Sequence, residues 1–60
     1  MKRYTLEIRG RRGNTLATKI KRANNVGSLV GEARDMMEQD KKIKFIEIRD
    51  MLGNIVEIVR

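Results

Sequence analysis

The stretch RGRRGNT, residues 9–15, gathers Arg9, Arg11 and Arg12 around Gly10 and Gly13. Guanidinium groups so close together suit charge-assisted, often bidentate hydrogen bonds to phosphate or carboxylate oxygens. Arg3 precedes this stretch and Lys19 and Lys21 follow it, while Thr5 and Thr15 add short hydroxyl donors. These residue types favour binding an anion over transforming one. The chain has no Cys and no His. A thiol nucleophile, a serine–histidine relay, an imidazole acid–base catalyst, a disulfide framework and the usual zinc sites are therefore excluded. No constellation for catalysis is visible, so no enzyme and no cofactor are expected.

The charge distribution agrees with that emphasis. Net charge is +6 with a pI near 10.3, a balance that favours a polyanionic partner. Residues 1–25 hold eight Lys/Arg against Glu7 alone, residues 26–40 hold Arg34 against four acids, and residues 41–60 hold five bases against three acids. The cations are concentrated at one end and the acids in the middle. No apolar run approaches the roughly 20 residues of a membrane span, and MKRYTLEIRG lacks the apolar stretch of a secretory signal. A soluble, cytoplasmic protein is expected.

What positions the arginines is a repeat. LEIRGRRGNTL, residues 6–16, aligns without gaps on IEIRDMLGNIV, residues 46–56, at an offset of 40. Glu7/Glu47, Ile8/Ile48, Arg9/Arg49, Gly13/Gly53 and Asn14/Asn54 are identical, and Leu6/Ile46 and Leu16/Val56 are similar. Each copy shows period-2 alternation, a turn signal and a second strand. Asp50-Met51-Leu52-Gly53 suits a type I turn, in which Asp50 bonds the turn backbone and Gly53 takes positive φ. RGRRGNT occupies the equivalent place and reads as a hairpin turn. A phosphate-cradling loop would lead into a helix N-terminus instead.

This turn sets an expected register. In the first hairpin Ile8 faces Leu16, Leu6 faces Thr18 and Tyr4 faces Ile20; in the second, Ile48 faces Val56 and Ile46 faces Ile58. The opposite face then carries Arg3, Thr5, Glu7, Arg9, Thr15, Ala17, Lys19 and Lys21 in one hairpin. In the other it carries Phe45, Glu47, Arg49, Ile55, Glu57 and Val59. Between the hairpins, Val26, Leu29, Val30, Ala33, Met36 and Met37 form the apolar stripe of a helix capped by Asn25, with Lys41 and Lys42 suiting its C-terminal end. Gly27 and Gly31 form a small-xxx-small pair, and Glu32, Asp35 and Glu38 form an acidic strip on the helix. The chain is thus predicted as a single α+β domain, 1–60, of ββαββ order. Two β-hairpins, 3–22 and 43–60, form an antiparallel sheet, with one amphipathic helix, 26–40, packed on one face.

Two functional readings follow. In the first, the cationic ribbon is a small basic nucleic-acid-binding module, with Arg3, Arg9, Arg11, Arg12, Thr15, Lys19 and Lys21 on a duplex DNA backbone or groove. The plain alternative is a solvated basic face that protects an edge strand. Single-stranded RNA fits less well, because only Tyr4 and Phe45 offer a ring for stacking. In the second reading the chain is a non-enzymatic interaction module. Phe45, Met51, Leu52, Ile55 and Val59 of the second hairpin then form a homodimer seam or a docking surface for a protein partner. A phage- or plasmid-type accessory role would suit either reading. Glu47 opposite Glu57 is the nearest approach to a metal site, but Arg49 on the same face relieves that repulsion more simply.

Overall fold

A computed structural model describes all 60 residues. Four strands and one helix follow the order β1 (Lys2–Gly10), β2 (Thr15–Ala23), α1 (Val26–Gln39), β3 (Ile43–Arg49) and β4 (Ile55–Val59). The strands make one antiparallel sheet in the order β2-β1-β3-β4, with α1 packed on one face. This is the ββαββ, α+β arrangement read from the sequence. No helix is long and apolar enough to cross a membrane.

The repeat becomes a local symmetry. β1 and β3 pair through Leu6↔Ile48, Glu7↔Glu47 and Ile8↔Ile46, so the two glutamates at equivalent repeat positions lie side by side. A two-fold axis through that pair, perpendicular to the sheet, relates one hairpin to the other. Their tips consequently project from opposite ends of a molecule about 30 Å long.

Both turns close in the same way. Gly13 N–H donates to the Gly10 carbonyl at 3.0 Å, and Gly53 N–H to the Asp50 carbonyl at 3.1 Å. Gly13 and Gly53 adopt φ of 80° and 87°, the left-handed region where a side chain is strained. Asp50 Oδ1 accepts from Leu52 and Asn54 N–H, both at 2.9 Å.

Beyond the turns the register departs from expectation. The ladder begins as predicted, with Arg9 opposite Thr15 and Arg49 opposite Ile55. It then continues with Ile8 opposite Ala17 and Ile48 opposite Glu57, leaving Leu16 and Val56 as extra residues. Each hairpin thus holds a one-residue bulge, again at equivalent repeat positions. A bulge reverses the inward–outward alternation of everything after it. Lys19 now pairs with Leu6 and Lys21 with Tyr4, so both lysines stand on the helix side of the sheet. Thr18, Ile20 and Arg22 take the open side in their place. In β4 the bulge carries Val59 into the core, opposite Ile46 and only 3% exposed, and leaves Ile58 on the open face. The assignment of Lys19, Lys21, Ala17, Glu57 and Val59 to the open face is therefore corrected.

The core lies between sheet and helix. Tyr4, Leu6, Ile8, Ala23, Leu29, Ala33, Ile46, Ile48 and Val59 are buried, with Val26, Val30, Met36, Met37 and Ile43 packed partly against them. The helix begins where Asn25 Oδ1 accepts the Ser28 N–H at 3.1 Å, which satisfies one of the four N–H groups that the first turn leaves unpaired. Gly27 and Gly31 are exposed, and nothing lies within 4 Å of where a Gly31 Cβ would stand. The small-residue pair therefore makes no close helix contact.

Candidate anion-binding cleft and the fate of the basic ribbon

The open face holds a four-charge cluster at its centre. Arg9 Nε donates to Glu47 Oε1 at 3.1 Å, and its Nη2 bonds Glu7 Oε2 at 2.9 Å. Arg49 Nε donates to the same Glu7 oxygen at 3.1 Å, and its Nη2 lies 3.6 Å from Glu47 Oε1. The local two-fold axis explains this pattern, since it sets Glu7 beside Glu47 and places an arginine on either side. The acidic neighbour of Glu47 is thus Glu7, not Glu57. Arg9 Nη1 also donates to the Thr15 hydroxyl, and Arg49 Nη1 to the Gly53 carbonyl at 2.9 Å. The Arg9 guanidinium is committed to its own sheet, so neither Arg9 nor Thr15 is offered to an outside anion.

The remaining predicted contacts are scattered. Arg3 stands opposite Arg22 on the open face, about six residues and hence roughly 20 Å along β1 from the first hairpin tip. Lys21 Nζ lies 3.7 Å from Glu32 Oε1 on the helix, an exposed ion pair, and Lys19 is exposed on the same side of the edge strand. Of the seven residues, only Arg11 and Arg12 belong to one site.

That site is a cleft of about 600 Å³ between the first hairpin tip and the turn from α1 into β3. Gly10, Arg11, Arg12, Asn14 and Leu16 line one side, and Gln39, Asp40, Lys41 and Lys42 the other. Four cations thus surround a space with one carboxylate and one apolar side chain. The carboxylate is turned to local work, since Asp40 Oδ1 accepts the Lys42 N–H at 3.0 Å. Arg11 Nη2 donates to the Lys41 carbonyl at 3.2 Å and ties the two walls together. Gly10 matters here as well. A Cβ at that position would lie 2.7 Å from Asn14 Oδ1, so a larger residue there would displace the Asn14 side chain.

Lys41 and Lys42 were missed as site residues because, in the sequence, they complement the helix C-terminus. A signal was available in the adjacent lysine pair that follows a helix directly. What joined it to Arg11 was the strand pairing between β1 and β3.

The residues expected at a protein interface separate in the same way. Phe45 and Ile55 lie on the open face with Ile58, and Val59 belongs to the core. Met51 and Leu52 project from the second tip, 73% and 86% exposed. With Tyr4, Val26 and Val56 they line a cavity of about 390 Å³ edged by Lys2, Arg3 and Asp50. No group of three His, Cys, Asp or Glu is placed to hold a metal.

The first hairpin tip thus carries cations and the second carries apolar side chains. No known protein family, characterised protein or solved structure matches it.

Proposed function

We propose that the protein binds nucleic acid, with duplex DNA favoured, through phosphate contacts in the cleft formed by Arg11, Arg12, Lys41 and Lys42. The observation that carries this reading is the convergence of four exposed cations, from segments about thirty positions apart, on one open cleft. Arginine and lysine at a projecting tip suit sequence-tolerant backbone binding, because phosphates are regularly spaced on the outside of a duplex. The shortage of aromatic side chains argues against base stacking.

The test is a fluorescence-anisotropy titration with a random duplex over a range of salt. Four phosphate contacts predict a slope of log K against log salt of about −3.6. Replacing Lys41 and Lys42 together by Ala should bring the slope to about −1.8. No binding at low salt, or a slope unaffected by that double substitution, would remove the proposal. A second reading is supported by the opposite end, where exposed Met51 and Leu52 border an apolar cavity suited to a protein partner. Under that reading, substitutions of Leu52 abolish partner binding and those of Lys41 and Lys42 do not.

A further inference from the structure

The two edges of the sheet are protected unequally. β2 presents Lys19, Lys21 and Arg22, the charged residues that discourage strand pairing. β4 reads Ile-Val-Glu-Ile-Val and has Glu57 as its one charge. Its register with β3 pairs Ile48 with Glu57 and Ile46 with Val59. Ile58 stands opposite Glu47 between those pairs, and its N–H is bound at 3.1 Å by the carboxylate of its own neighbour, Glu57. A backbone donor on an otherwise apolar edge is therefore held by a side chain that can swing away.

We infer that the β4 edge pairs with the β4 edge of a second copy of this chain, antiparallel about Ile58, and that the Glu57 carboxylate competes for that edge. Four considerations select this partner and its register. Side chains on the open face become apolar towards β4, where Ile55, Ile58 and Phe45 flank the charged centre, so a second β4 would set Ile58 against Ile58. Charge selects the register. Pairing centred on Glu57 would oppose two carboxylates, whereas pairing centred on Ile58 puts each Glu57 beside Val59 of the other copy. Charge also disfavours a β2-to-β2 contact, which would bring Lys19, Lys21 and Arg22 against their equals. A β4-to-β4 contact is isologous and closes after two copies, while a β4-to-β2 contact would propagate into a filament. The result is one eight-stranded sheet with a helix from each copy on the same side. The cleft is lined by the first hairpin tip and the turn from α1 into β3, with no residue of β4, so this inference stands apart from the proposed nucleic-acid binding.

Sedimentation velocity over a concentration series reads the association directly. The wild-type chain should pass from monomer to dimer and stop there. Glu57→Ala frees the Ile58 donor and should tighten the dimer about tenfold. Ile58→Pro removes an N–H that the β3 ladder does not use, and proline is tolerated on an edge strand in that orientation. This variant should keep the wild-type circular dichroism and remain monomeric. Should it fail to fold, Ile58→Lys sets two ammonium groups against each other across the axis and should likewise be monomeric. Slowed amide exchange at Ile58 on dimerisation would support the register. Wild type and Glu57→Ala both remaining monomeric at millimolar concentration would overturn the inference. So would assemblies that grow past two copies, or a dimer that survives Ile58→Lys.

Discussion

Arg9 and Arg11 stand two positions apart in the same basic stretch, yet the structure gives them opposite roles, and a crossed pair of substitutions separates those roles. Arg9→Gln removes the guanidinium that bridges Glu7 and Glu47 and leaves two adjacent carboxylates with Arg49 alone between them. The side chains involved are 23%, 24% and 14% exposed, intermediate between a surface ion pair and a buried one. Two charge-assisted bonds at about 1 kcal/mol each, discounted for partial solvation, amount to about 2 kcal/mol of lost stability. In a 60-residue domain that lowers Tm by about 8–16 °C. Arg11→Gln removes an exposed side chain with one bond, to the Lys41 carbonyl, and should leave Tm within about 4 °C. On the proposed nucleic-acid binding the effects run the other way. Arg11→Gln should make the salt slope less negative by about 0.9, and Arg9→Gln should leave it unchanged under conditions where the variant is folded. Thermal unfolding by circular dichroism and anisotropy against salt measure the two axes. An Arg9→Gln protein with wild-type Tm and a reduced slope would refute the assignment of Arg9 to the sheet.

Two further substitutions test the packing. Leu29 is fully buried between helix and sheet, and Leu29→Ala should cost about 3–5 kcal/mol, most of the stability available to so small a domain. Denaturant unfolding should therefore find this variant largely unfolded in water, and a loss below about 1 kcal/mol would contradict the helix placement. Gly31→Ala adds a methyl group where nothing stands within 4 Å. It should stabilise the protein by about 0.5–1 kcal/mol, raising Tm by several degrees, because alanine is the better helix former.

The elements legible in the sequence are those whose determining physics is local. Alternation at Tyr4, Leu6 and Ile8 and at Ile46 and Ile48 marked β1 and β3. The glycines at 13 and 53 marked both turns, and Asn25 with its apolar stripe marked the helix. Each depends on neighbours within a few residues. The candidate site was legible only in part. Arg11 and Arg12 were placed correctly at a projecting tip, but Arg3, Lys19 and Lys21 lie elsewhere, Arg9 and Thr15 are occupied, and Lys41 and Lys42 were missed. The cause is one extra residue per hairpin. The same turn can precede a ladder with or without the bulge, the apolar alternation of Leu16 and Ile20 favours the unbulged one, and neither Leu16 nor Val56 is a glycine or proline that would mark the extra residue.

By itself the amino-acid sequence determined the duplicated hairpins, the helix between them and the asymmetry of a cationic first tip and an apolar second one, since these follow from side-chain order along the chain. Only the tertiary structure decided which face each lysine takes, which arginine is neutralised and which distant lysines complete the cleft. Those outcomes depend on the bulges and on β1 meeting β3 at the Glu7–Glu47 pair. Contacts between residues some forty positions apart carry no signature in local periodicity, because they are chosen by the packing of the whole chain.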